Sequence, residues 1–227
     1  MHTSRCLDTS KINMKKLVIL FMACMMSACS SQIQTSPQND VQPYDCILMG
    51  DSITEIWRGT RQGFFLNNNL KSVGVSGETT GLMLERFKED VVDLKPRCVS
   101  ILGGINDIAR NAGYVSNEQI RENIKSMAEL AAEADIKVII CSVLPADEIY
   151  WNPSVDPHLC VKQLNEMLEQ LAGDNSYAYL DFYSAFVDPV TGGFMNKEYT
   201  TDGVHVTNKC YAVMEKMLIE TLQEVLK

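Results

Sequence analysis

Histidine is scarce in this sequence: His2, His158 and His205 are the three among 227 residues. Any chemistry that needs an imidazole base therefore has few candidates. Cationic side chains are outnumbered, 20 Lys and Arg against 29 Asp and Glu, for a net charge of −9. That balance disfavours a nucleic-acid partner, because phosphate binding needs a basic surface. The eight cysteines include no Cys-x-x-Cys pair, and metal-ligand spacing is absent, so no metal is expected. No Gly-x-Gly-x-x-Gly run occurs, which leaves no dinucleotide signature and no expected cofactor. The apolar run Leu17 to Met26 is well short of the ~20 residues that cross a bilayer as a helix. Internal repeats are absent as well.

What that run does have is the context of an export signal. Met14-Lys15-Lys16 supplies a cationic start and Leu17 to Met26 the apolar segment. Met14 reads as the real initiator, with residues 1–13 upstream of it. Small residues then lead into a cysteine in Met26-Ser27-Ala28-Cys29, a stretch that resembles the bacterial lipobox, with Met26 where Leu is usual. The resemblance implies lipidation of Cys29 and export to the periplasmic or cell-surface side, the membrane being reached only through that anchor. Ordinary cleavage, giving a soluble periplasmic or secreted protein, is the alternative. Residues 1–28 are thus an export signal, 29–43 a Ser/Gln/Asn/Pro tether, and 44–227 one globular domain. Four cations and one acid leave with residues 1–28, so the remainder carries −12. Five cysteines remain after Cys29, an odd number; Cys46, Cys98 and Cys141 lie in or beside apolar runs and read as core filler.

From Tyr44 onward short apolar runs alternate with longer amphipathic segments. The runs are Cys46–Met49, Val73–Val75, Val99–Leu102, Val138–Val143 and Ala178–Leu180; the helical segments are Leu82–Leu94, Asn117–Ala134, Leu159–Leu171 and Lys209–Leu226. In the second helix Ile120, Ile124, Met127, Leu130, Ala131 and Ala134 form one stripe. Ser116, with Gln119 three residues later, supplies a capping box. Strands that are apolar throughout and separated by helices predict a parallel five-stranded sheet covered on both faces, a three-layer α/β/α sandwich. The connection from Pro145 to Pro157 is long, and it holds Tyr150 and Trp151.

Four features fall at the carboxyl ends of these strands or in the loops beside them, where ligands bind in open parallel sheets. The first strand stops at Gly50, and Asp51-Ser52 hands over to a helix. The second leads into Gly74-Val75-Ser76-Gly77-Glu78-Thr79-Thr80, glycines before a helix start. The third leads into Gly103-Gly104-Ile105-Asn106-Asp107, whose Asn106 amide can donate to a developing oxyanion. Before the last helix comes Thr201-Asp202-Gly203-Val204-His205, an acid three residues ahead of a histidine. Taken singly, these are turn and cap chemistry. Together they are a nucleophile, a base with its orienting acid, and oxyanion donors, the parts of acyl transfer. His158, beside Pro157 at a helix start, reads as surface or pocket rim.

Gly50-Asp51-Ser52-Ile53, Gly77, Gly104-Ile105-Asn106-Asp107 and Asp202-Gly203-Val204-His205 resemble, in order, the four motif blocks of the SGNH (GDSL-type) esterases and lipases. The resemblance implies a flavodoxin-like fold and an acyl-enzyme mechanism without metal or cofactor. Ser52 then is the nucleophile, His205 the base, Asp202 its orienter, and the Ser52 and Gly77 N–H groups with the Asn106 amide the oxyanion hole. Asp51, Tyr150 and Trp151 are candidates for the substrate pocket. Ser72, Val206 and Cys210 depart from the family pattern, the last two in the packing of the histidine loop. Family analogy for lipidated members points to short O-acyl groups, chiefly acetyl, on carbohydrate. A lysophospholipase, thioesterase or arylesterase remains the alternative, and a non-catalytic glycan-binding surface module the reading from another class.

Overall fold

The computed structural model describes residues 43–227. The expected export signal, Cys29, and the tether apart from Pro43 lie outside the described residues. Five strands, β1 (Cys46–Gly50), β2 (Leu70–Ser72), β3 (Cys98–Leu102), β4 (Lys137–Cys141) and β5 (Ala178–Leu180), pair in the order β2-β1-β3-β4-β5. Every pairing is parallel. This is the three-layer sandwich with flavodoxin-like strand order.

Alternate residues of each strand feed two cores. Ile47, Met49, Val99, Ile101, Val138 and Ile140 face α3 (Thr80–Asp90), α5 (Asn117–Glu133) and α6 (Pro157–Asn175). Cys46, Leu48, Cys98, Leu102, Ile139 and Cys141 face α1 (Ser52–Thr60), α2 (Gln62–Asn67), α7 (Phe182–Phe186) and α8 (Asn208–Val225). Burial on both faces is why β1, β3 and β4 read as near-continuous apolar runs rather than alternating ones, with Ser100 a buried polar residue inside β3. A short helix, α4 (Ile105–Ile108), follows β3. None of the described helices is long and apolar enough to cross a membrane.

Three local differences from the expected elements have physical causes. The second strand lies at Leu70–Ser72 rather than Val73–Val75. Val73 and Val75 still donate to Leu48 and Gly50 carbonyls at 2.9 and 3.1 Å, but the chain there is already turning over α1. The helix expected over Leu82–Leu94 ends at Asp90 and is followed by a single 3-10 turn, Val92–Leu94. Lys95, with φ 49°, then breaks the helix before Pro96. Short α2, α4 and α7 carry too few turns for a periodic apolar stripe. Cys46, Cys98, Cys141 and Cys210 are buried free thiols, and Cys160 is half-buried.

Candidate active site

Because β2 lies on one side of β1 and β3 on the other, the connections leaving β1 and β3 diverge and open a crevice between them. Asp51 and Ser52 stand directly after β1, and Asn106 stands just past β3. The Asp51 carboxylate caps α1, accepting from the Ile53 N–H at 3.0 Å, which leaves Ser52 as the first helical residue. Asp51, expected on the pocket wall, lines a void of only about 10 Å³ and is 1% exposed. Burial pushes its pKa up to about 6, against the pull of the Ile53 N–H and of positive charge on His205.

The histidine loop is closed by an antiparallel bridge between Thr200 and Val206. Within it the Asp202 Oδ1 accepts from the Val204 and His205 N–H groups at 3.0 and 2.7 Å. Its Oδ2 lies 2.7 Å from His205 Nδ1. The other ring nitrogen, Nε2, is 3.0 Å from Ser52 Oγ. Partial burial works to raise the Asp202 pKa, but the imidazole and the two backbone donors outweigh it and hold the carboxylate below its usual range. A charged Asp202 keeps the proton on Nδ1 and presents the Nε2 lone pair to the serine hydroxyl. Val206 and Cys210, departures from the family pattern, are both buried in the core under this loop.

After β2, Gly77 takes φ 81°, a left-handed conformation that suits glycine. Its N–H has no hydrogen-bond partner among the described residues. The segment around it is pinned: Ser76 donates from N–H and hydroxyl to Glu55, and the Glu78 carboxylate pairs with Arg86. The buried Asn106 Nδ2 donates to the Glu78 carbonyl at 3.0 Å and makes only a long, 3.4 Å contact with Asp51. One of its two hydrogens is therefore weakly held and can turn to a ligand. Asp107 next to it accepts from the Thr80 N–H and hydroxyl at 2.8 and 2.7 Å, tying α3 to α4.

The long connection reaches the site too. The Trp151 indole is 38% exposed, its ring 6.5 Å from that of His205, with Tyr150 packed edge-on at 4.7 Å. Its Nε1 donates to Asn111 Oδ1 at 2.9 Å. Asn111 had no distinguishing mark in the sequence: Asn111-Ala112-Gly113 reads as any turn. His158 makes no hydrogen bond to this relay; it is paired with Asp156 at 2.7 Å and packed against Phe194 at 4.0 Å. It repeats the Asp/His pairing without a serine. No group of three or more His, Cys, Asp or Glu side chains able to hold a metal ion occurs among the described residues.

A hydroxyl, an imidazole and a carboxylate in series can create an alkoxide nucleophile, and an unpartnered N–H with a carboxamide donor are the groups that stabilise an oxyanion. Residues 48–213 match the model of the GDSL-like Lipase/Acylhydrolase family. Among solved structures, the chain is similar to a putative acylhydrolase of Bacteroides fragilis NCTC 9343, 39% identical, with TM-score 0.78 over 80% of this chain and 88% of that one. A GDSL-like lipase of Bacteroides thetaiotaomicron VPI-5482 is 38% identical, with TM-score 0.77 over 79% and 87%. Uncharacterized lipoprotein YqeF of Bacillus subtilis (strain 168) is 33% identical over 85 residues, spanning 36% of this chain and 35% of that protein.

Proposed function

The chain belongs to the GDSL-like lipase/acylhydrolase family, and from that premise we propose that it is an ester hydrolase working through an acyl-enzyme on Ser52, with short O-acyl groups, chiefly acetyl, on carbohydrate as substrate. The observation that carries the mechanism is the series Ser52 Oγ to His205 Nε2 at 3.0 Å and His205 Nδ1 to Asp202 Oδ2 at 2.7 Å. Ser52 Oγ attacks the ester carbonyl carbon while His205 Nε2 takes its proton. The carbonyl oxygen becomes an oxyanion and accepts from the Ser52 and Gly77 N–H groups and Asn106 Nδ2. Collapse breaks the carbonyl–alkoxy bond, and His205 returns the proton to the departing alcohol. Water then attacks the acyl-enzyme with His205 again as base, releasing the acid and free Ser52.

The short acyl group rests on the likeness of the motif blocks to the family, and one structural feature supports a carbohydrate alcohol. At the mouth, Tyr150 and Trp151 present exposed rings of a kind that stack on sugar faces.

The test is hydrolysis of p-nitrophenyl esters from acetate to palmitate, with Ser52→Ala and Asn106→Ala as controls. The expected result is a preference for acetate that vanishes in Ser52→Ala and falls on the order of 100-fold or more in Asn106→Ala. A maximum at long chains overturns the acetyl assignment in favour of lysophospholipid or thioester substrates. No Ser52-dependent activity on any ester overturns the proposed mechanism and favours a glycan-binding module.

Export as a Cys29-linked lipoprotein is supported by the leader's composition and by the YqeF likeness. Incorporation of labelled palmitate that is abolished by Cys29→Ala is the expected outcome; labelling unaffected by the substitution rejects it.

A further inference from the structure

On the acyl-enzyme reading above, we infer that Asn111 is the positioning residue of the oxyanion hole, with the Trp151 indole as the outer anchor that holds it in place. The two non-serine donors of the hole come from separate connections, Gly77 after β2 and Asn106 after β3. To stabilise one oxygen they must converge on one point, and Asn111 is where the two connections are joined. Its Nδ2 donates to Asn106 Oδ1 at 2.8 Å and to the Gly77 carbonyl at 3.2 Å.

Each bond has a definite consequence. Donation to Asn106 Oδ1 identifies the oxygen end of that carboxamide and keeps its Nδ2 turned toward Glu78 and the site. Donation to the Gly77 carbonyl restrains the peptide after Gly77, while the Ser76 bonds to Glu55 restrain the one before it. Gly77 has no steric support of its own: a Cβ built on it would meet nothing within 4 Å. In the residue type with the largest backbone freedom, hydrogen bonds are what remain to hold the N–H in place.

Asn111 is itself solvent-exposed, where a side-chain amide is ordinarily hydrated and mobile. Here both amide hydrogens and the oxygen are engaged by protein groups, the oxygen by Trp151 Nε1 at 2.9 Å. Its backbone N–H also folds back onto the Asn106 carbonyl at 3.0 Å. The role needs two donors and one acceptor at short reach, which asparagine supplies; aspartate keeps the acceptor and loses both donors.

The test compares wild type, Asn111→Ala, Asn111→Asp, Trp151→Phe and Ser52→Ala on p-nitrophenyl acetate. Alongside it, NMR order parameters are measured for the Gly77 N–H and the Asn106 side-chain amide in the unliganded proteins. Both Asn111 variants are expected to lose about 10- to 100-fold in kcat at nearly constant KM, because misplaced donors are missed mainly in the transition state. Trp151→Phe, which keeps an aromatic ring and loses the indole N–H, is expected to lose less. The two order parameters are expected to fall from about 0.85 toward 0.6 or below in Asn111→Ala, at unchanged circular dichroism. Wild-type kcat in Asn111→Asp beside an inactive Ser52→Ala overturns the positioning role alone. Equal activity in wild type and Ser52→Ala overturns the acyl-enzyme reading, and the order parameters then decide the placement of Gly77 and Asn106 without reference to activity. Unchanged order parameters overturn the inference in either case.

Discussion

Asp51 holds a carboxyl group at 1% exposure directly before the proposed nucleophile. Burial raises its pKa to about 6, with Asp107 adding to the rise, while the Ile53 N–H and His205 oppose it. An unfolded aspartate titrates near 3.9, so between about pH 4 and pH 6 the folded state binds more protons than the unfolded one. Stability due to this group is therefore greatest below pH 4, declines as pH rises to about 6, and is level above. The decline is roughly 3 kcal/mol. Asp51→Asn retains a capping oxygen and should flatten the urea-denaturation profile across that window; an identical pH profile in the variant would refute the assignment. At this scale Ser52, Asn106, Asp202 and His205 were legible because each is bracketed by its own turn chemistry at a strand end or loop. Asn111 was not, because what distinguishes it is a hydrogen bond to Trp151, 40 residues away. Nor was the burial of Asp51, since a capping aspartate reads alike whether covered or exposed.

Among the elements, α1 and the segment after β2 depend on each other through Gly74. A Cβ there would lie 2.6 Å from the Glu55 backbone nitrogen and 2.9 Å from the Asp51 carbonyl oxygen. Both are main-chain atoms at the start of α1, so the clash has no side-chain escape. Gly74→Ala is expected to cost about 1–3 kcal/mol and to lower kcat by shifting the start of α1, measured by denaturation and ester hydrolysis together. Unaltered stability and turnover would show that the segment can move freely. The same close approach accounts for the displaced second strand. Val73 and Val75 read as strand because they are apolar, and they do lie along β1, but the chain turns over the helix before the ladder is complete. The long helices α5 and α8 match their expected spans to within a residue, since three or more turns of apolar periodicity average out local noise; α6 runs two residues earlier and four later than the expected Leu159–Leu171.

For the molecule as a whole, the distance between Ser52 and His205, 153 residues apart, is set by how α1 packs against α8. The Trp57 ring stacks on Tyr211 at 5.6 Å, and the Tyr211 hydroxyl donates to the Ile53 carbonyl at 2.8 Å. Arg61 grips Glu215 with two bonds of 2.7 and 2.6 Å. Trp57→Ala is expected to cost about 3–5 kcal/mol, lowering the denaturation midpoint in one cooperative step; a loss under 1 kcal/mol would mean the helices are held chiefly by other groups. The amino-acid sequence by itself determined the alternation of buried strands and helices, the two-sided sheet, and the polar residues at the strand ends. Those follow from periodicity and from turn chemistry, which act over a few neighbouring residues. Only the tertiary structure decided that Asn111 ties the Gly77 and Asn106 connections together, that Asp51 is buried, and that Trp151 reaches Asn111. Such contacts depend on the path of irregular loops over the packed layers, and side-chain fit across that distance leaves no period in the chain.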